Sequence, residues 1–175
     1  PVTWQVHDTY FVVAHLHYVL FGGSVFAMFG AFYYWLPKIT GWQLQRGWGR
    51  VHFWLMLVGF NLTFFPMHLS GLLGMPRRIY TYASGQGWEI WNLMSTIGAF
   101  LIAVSVLVFM VNFFVSARRK EPAGADPWGG ASLEWATSSP PPAQNFDVVP
   151  PVKGRDPLWI LDRERRGDGA KRAHA

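Results

Sequence analysis

Two histidines, His15 and His17, stand inside a stretch that carries no charged residue from Thr9 to Pro37. Such a run is long enough to cross a bilayer as a helix. Successive helical residues turn by about 100°, so positions i and i+2 point about 200° apart. The pair therefore cannot hold one ion together, but each imidazole can hold a separate metal group on its own flank. The helix diameter sets two such groups on the order of 10–15 Å apart, within reach of electron transfer. An intramembrane His also serves as a hydrogen-bonding bridge between helices, a purely structural use. Two of them facing apart, with no neighbouring acid to form a relay, favour ligation, because ionisable groups at membrane depth are costly.

Four more residues have types suited to chemistry. His7 and Asp8 sit at the mouth of the same run. An imidazole beside a carboxylate is a sparse metal constellation, since adjacent helical side chains diverge, yet Mg²⁺ keeps several waters and needs few protein ligands. Arg77 and Arg78 form the second pair. Their guanidinium forks suit carboxylates bidentately, and lipid phosphates are the structural alternative. His52 and His68 read as interfacial or hydrogen-bonded, and His174 as solvated. Asn61, Thr63, Ser95, Thr96 and Ser105 read as polar groups that bond a backbone carbonyl or a neighbouring helix.

The elements that must position these residues follow from composition. Hydrophobic residues make up 51% of the chain, aromatics 17% and charged residues 14%, and there is no Cys. Disulfide frameworks and thiolate metal sites are excluded. Three apolar segments have spanning length, about Tyr10–Leu36, Val51–Leu73 and Ile90–Ala117, so the fold class is an all-α membrane protein. Gly22, Gly23 and Gly30 offer close helix approach in the first. Pro66 should kink or end regular helix in the second. Trp35, Trp42, Trp48, Trp54, Trp88 and Trp91 fall near segment ends and read as an interfacial belt.

Lys38, Arg46 and Arg50 follow the first segment, and Arg118, Arg119 and Lys120 follow the third. Placed on one face, these charges make the C-terminus cytoplasmic, with His7, Asp8, Arg77 and Arg78 on the outer face. Residues 1–120 are the expected membrane region and 121–175 a Pro/Gly-rich tail, expected to be extended, without a core, and to end in disorder. The net charge of +5 fits loops and tail beside anionic lipid, and no motif points to nucleic acid.

The run from His7 through His15 and His17 to Val19 resembles the signature of subunit I of the haem–copper oxidases, in the cytochrome c oxidase branch. Asn61–Pro66, Gly74–Arg78, Pro127–Gly130 and Leu133–Pro140 continue the resemblance in order. It implies the last three helices of a twelve-helix bundle plus the extended C-terminal tail. It further implies O₂ reduction to water with electrons from cytochrome c, coupled to proton pumping. In that family His17 would be an axial ligand of the low-spin haem a and His15 the proximal ligand of the high-spin haem a3. Arg77 and Arg78 would clamp haem propionates, and His7 and Asp8 would join a Mg²⁺ or Mn²⁺ site shared with subunit II. The Cu(B) ligands, a second axial His and the proton channels would lie upstream of Pro1. Subunits II and III, membrane lipid and a bacterial inner membrane are the implied partners and setting. Leu16 stands where the family also has an aromatic. Asp8 leans toward cytochrome c as donor over a quinol. The alternatives are a quinol oxidase subunit I, or a non-catalytic membrane protein in which His15 and His17 only bridge helices.

Overall fold

The computed structural model describes residues 1–164. His174 and most of the basic stretch expected to be disordered lie outside the described residues. The described chain is helical, with two isolated β-bridges, Thr9 to Pro76 and Trp42 to Pro122. In order it forms α1 (Val2–Val6), α2 (Tyr10–Leu20), a π-helical turn (Phe21–Val25), α3 (Phe26–Thr40), α4 (Arg46–Leu72), α5 (Glu89–Arg119) and a 3₁₀ turn (Leu133–Ala136). A final helix begins at residue 157 and runs to the last described position.

Three helical spans are long and apolar enough to cross a membrane: Tyr10–Thr40, Arg46–Leu72 and Glu89–Arg119. Each overlaps one of the segments expected from hydropathy and is longer overall, although the second ends at Leu72, one residue short of the expected Leu73. Pro66 does not end α4, which continues to Leu72. The turn at Phe21–Val25 holds Gly22 and Gly23, and its extra residue per turn is seen in the Phe26 N–H, which bonds the Phe21 carbonyl five residues back.

Residues 1–30 and 45–115 form one compact unit. Of the glycines singled out in the first segment, a Cβ on Gly22 would make an ordinary contact with the Phe60 ring at 3.6 Å, and nothing lies within 4 Å of one built at Gly23 or Gly30. By contrast, α4 and α5 meet at Gly59 and Gly98, where a Cβ on Gly98 would collide with the backbone of Thr63. Polar side chains reinforce that seam. The Ser105 hydroxyl donates to the His52 carbonyl at 3.0 Å. Asn112, fully buried, accepts from the Gln45 N–H at 3.1 Å and donates to the Gln45 carbonyl at 3.2 Å. That reciprocal pair gives an acceptor to the Gln45 N–H, which has no partner inside the helix, and a second donor to the Gln45 carbonyl, which already accepts from the Gly49 N–H at 3.1 Å.

Residues 31–44 and the chain from Ser116 form the second unit. The tail is irregular, as its Pro and Gly content demands, but it is not coreless. Trp135 is 1% exposed, stacks on Trp35 at 5.6 Å, and donates its indole N–H to the Tyr34 hydroxyl at 3.2 Å. Lys38, expected in a loop, lies in α3 and is 5% exposed. Its ammonium donates to the carbonyls of Thr137 at 2.7 Å, Ala125 at 3.1 Å and Ser138 at 3.2 Å, and lies over the Trp135 ring. A buried ammonium has three donors and no acceptors, and here three carbonyls meet them.

Candidate functional site: the two histidines of α2 and the turn before it

The N-terminal end of α2 is built by a cap. The Thr9 side chain accepts from the Phe11 N–H at 3.2 Å and donates to the Val6 carbonyl at 2.7 Å. Thr9 has extended backbone, which breaks the helix between α1 and α2. His7 and Asp8 therefore lie in a turn and not on a helix, and their side chains converge where helical neighbours would diverge. His7 Nε2 stands 3.0 Å from Asp8 Oδ2, and the His7 ring stacks on Trp4 at 5.9 Å. The other Asp8 oxygen pairs with the Arg77 guanidinium at 2.5 Å.

Backbone bonds fix that arrangement. The Tyr10 N–H donates to the Met75 carbonyl at 2.9 Å and the Arg77 N–H to the Asp8 carbonyl at 3.0 Å. Gly71 permits it, because a Cβ there would collide with the backbone of Phe11. Arg78 does not join this cluster. It is exposed, its backbone lies in the left-handed region at φ 66°, and it has no ion pair among the described residues.

His17 is held on two sides. Its Nδ1 donates to the Val13 carbonyl one turn back at 2.7 Å, and its ring stacks on Phe64 of α4, with centroids 4.6 Å apart and planes at 15°. A donating Nδ1 leaves the lone pair on Nε2, the tautomer a metal-binding imidazole needs. His15 is exposed and has no hydrogen-bond or ring partner among the described residues. Its neighbour Ala14 is fully buried, and Leu16 between the two histidines is exposed. Both imidazoles are exposed, but their surroundings differ: His17 is bonded to Val13 and stacked on Phe64 of α4, and His15 has neither kind of partner among the described residues.

This donor set fits haem. Axial ligation needs one neutral imidazole nitrogen per face, and His17 presents Nε2 while a carbonyl orients the ring through the other nitrogen. For a divalent ion the fit is partial. The 3.0 Å between His7 and Asp8 matches the edge between adjacent ligands of an octahedral ion with bonds of about 2.1 Å. Among the described residues no group of three or more His, Asp or Glu converges, so such an ion would need further ligands from water or a partner.

The remaining histidines serve packing. The His52 ring is buried against Phe29 at 4.7 Å and Phe109 at 5.3 Å. His68 sits among Phe11, Tyr18 and Phe65, and its buried Nδ1 has no hydrogen-bond partner among the described residues. Tyr18 in turn donates to the Asn61 side-chain carbonyl at 2.8 Å. Two residues that bear on the site were missed from the sequence. Val13 is one helical turn before His17, so register alone could have found it. Phe64 is reached only through the packing of α4 on α2.

Similarity to known proteins agrees with this architecture. Residues 1–101 match the family described as Cytochrome C and Quinol oxidase polypeptide I. The chain is 52% identical over 158 residues, 90% of its length, to cytochrome c oxidase subunit 1 of Bacillus subtilis (strain 168), of which this covers 25%. It is 52% identical over 169 residues, 96% of its length, to cytochrome c oxidase subunit 1 of Thermostichus vulcanus, of which this covers 30%. It is also 47% identical over 166 residues, 93% of its length, to quinol oxidase subunit 1 of Bacillus spizizenii, of which this covers 25%. The chain thus spans a quarter to a third of the length of such relatives. With a family match over more than half of its residues, the chain belongs to the cytochrome c and quinol oxidase polypeptide I family of haem-bearing respiratory membrane proteins.

Proposed function

We propose that this chain is the haem-ligating C-terminal part of a cytochrome c oxidase subunit I, with His17 an axial ligand of the low-spin haem a and His15 the proximal ligand of the high-spin haem a3. The observation that carries the reading is the unequal setting of two exposed imidazoles on one helix, His17 oriented by Val13 and Phe64 and His15 without a hydrogen-bond or ring partner among the described residues. When bound, the haem irons accept electrons and bind O₂.

The protein's own work is to present and orient the ligands. The Val13 carbonyl holds the proton on His17 Nδ1, which keeps Nε2 available and raises its donor strength. Leu16 places an apolar side chain between the two ligand-bearing flanks. At the outer face, Asp8 holds Arg77 so that its guanidinium has a fixed place beside the end of α2. Arg77 and Arg78 are the cations at the depth where haem propionates would emerge. His7 and Asp8 would supply two ligands to a Mg²⁺ or Mn²⁺ ion completed by subunit II and water.

The complete enzyme would carry electrons from cytochrome c to O₂ and translocate protons in a bacterial inner membrane, with subunits II and III as partners and the tail on the cytoplasmic face. The Cu(B) ligands belong to the part of the subunit outside this chain, so the segment alone is expected to be inactive. Haem content tests the reading. In the intact oxidase carrying His15→Ala or His17→Ala, the pyridine haemochrome ratio of haem to protein should fall by about half in each variant. Full haem content in both would return the histidines to helix packing.

A further inference from the structure

Resting on the reading of His17 as a haem ligand, a second residue comes into view on the neighbouring helix. The torsion about the Cβ–Cγ bond is intrinsically broad for an imidazole, and the hydrogen bond from Nδ1 to the Val13 carbonyl narrows it within the angular tolerance of a hydrogen bond. A second contact narrows it further. Phe64 supplies it, lying nearly parallel to the imidazole at 15° and 4.6 Å between centroids. Phe64 is itself immobilised: it is buried, with Phe60 at 5.5 Å and Phe21 at 5.7 Å. Phe21 and Phe60 are stacked on each other at 5.4 Å. This cluster links the first residue of the π-helical turn to α4 and ends on the His17 ring.

We propose that Phe64 is a positioning residue: stacked on His17, it sets the plane of that imidazole and so the orientation of the axial ligand at the low-spin haem. Phe64 touches no reacting atom and acts through His17. Phe65 is the natural comparison, being next in the chain, exposed, and packed near His68 with no contact to His17.

The test uses the intact oxidase and the electron paramagnetic resonance of its oxidised low-spin haem, whose g values report the orientation of the axial imidazole planes. Phe64→Leu should shift the largest g value beyond the scatter between preparations and shift the midpoint potential of that haem with it. Phe64→Tyr, which keeps the stacked ring, should restore the wild-type values, and Phe65→Leu should match wild type throughout. Phe64→Met fills similar space without a ring, and it should shift the signal in the same way if Phe64→Leu fails to assemble. Wild-type g values in an assembled ringless variant would overturn the role of Phe64. A His17→Ala oxidase that keeps the low-spin signal would instead overturn the ligand reading. Loss of that signal in His17→Ala, alongside unchanged g values in Phe64→Leu, would leave His17 a ligand and remove Phe64 alone.

Discussion

Asp8 and Arg77 are joined twice, once by the ion pair between their side chains at 2.5 Å and once by the Arg77 N–H donating to the Asp8 carbonyl at 3.0 Å. The two bonds do different work. A pair this exposed to solvent contributes only about 0–1 kcal/mol. The second bond, the Tyr10–Met75 backbone bond and the close approach of Phe11 to Gly71 are what dock the N-terminal end of α2 on the end of α4 and the loop after it.

Replacing Asp8 by Asn should therefore leave the fold intact and change the chemistry of the turn. Affinity for Mn²⁺ at the proposed site should fall by at least roughly tenfold, the scale seen when a metal site loses even an outer-shell partner of a ligand. Electron paramagnetic resonance of bound Mn²⁺ in the intact oxidase measures it. Unchanged Mn²⁺ binding would reduce Asp8 to a partner for Arg77.

Lys38→Met should release the tail. Hydrogen bonds to a charged group contribute about 1.5–3 kcal/mol each, and the substitution leaves three carbonyls and the Trp135 face without their cation. A loss on the order of 3 kcal/mol would raise the open fraction of the tail roughly a hundredfold. Limited proteolysis between residues 121 and 150 should accelerate accordingly, with Lys38→Arg intermediate. Equal cleavage of Lys38→Met and wild type would show that the tail is held without this ammonium.

Gly98→Ala should damage the α4–α5 seam. Its new methyl group falls on the Thr63 backbone, where no side chain can swing aside, and overpacking of this kind costs about 1–3 kcal/mol or more. The thermal midpoint of the assembled oxidase should drop for Gly98→Ala and hold for Gly47→Ala, which opens into free space. A midpoint unchanged by Gly98→Ala would mean the helices separate at little cost.

The parts of this structure that were legible in the sequence are those governed by local pattern. The three spans follow from uninterrupted apolar runs, and the opposed directions of His15 and His17 follow from helix geometry alone. What escaped depends on residues distant in the chain. Lys38 looks like a loop cation because its three carbonyls lie 87 to 100 residues later, and Trp135 looks like part of a coreless tail because Trp35 and Tyr34 cover it. The convergence of His7 and Asp8 was misjudged for a local reason: Thr9 caps α2 and places both in a turn. The glycines that matter for packing, Gly59, Gly71 and Gly98, differ from those of the first segment only in what faces them.

The central claim, that His15 and His17 serve two different haems, is tested most directly by CO-difference spectra of the intact oxidase carrying each substitution. His17→Ala should retain the CO-induced change of the high-spin haem and lose the low-spin absorbance, whereas His15→Ala should lose the CO response and keep the low-spin band. Identical spectra for the two variants, or CO binding undiminished in His15→Ala, would contradict it.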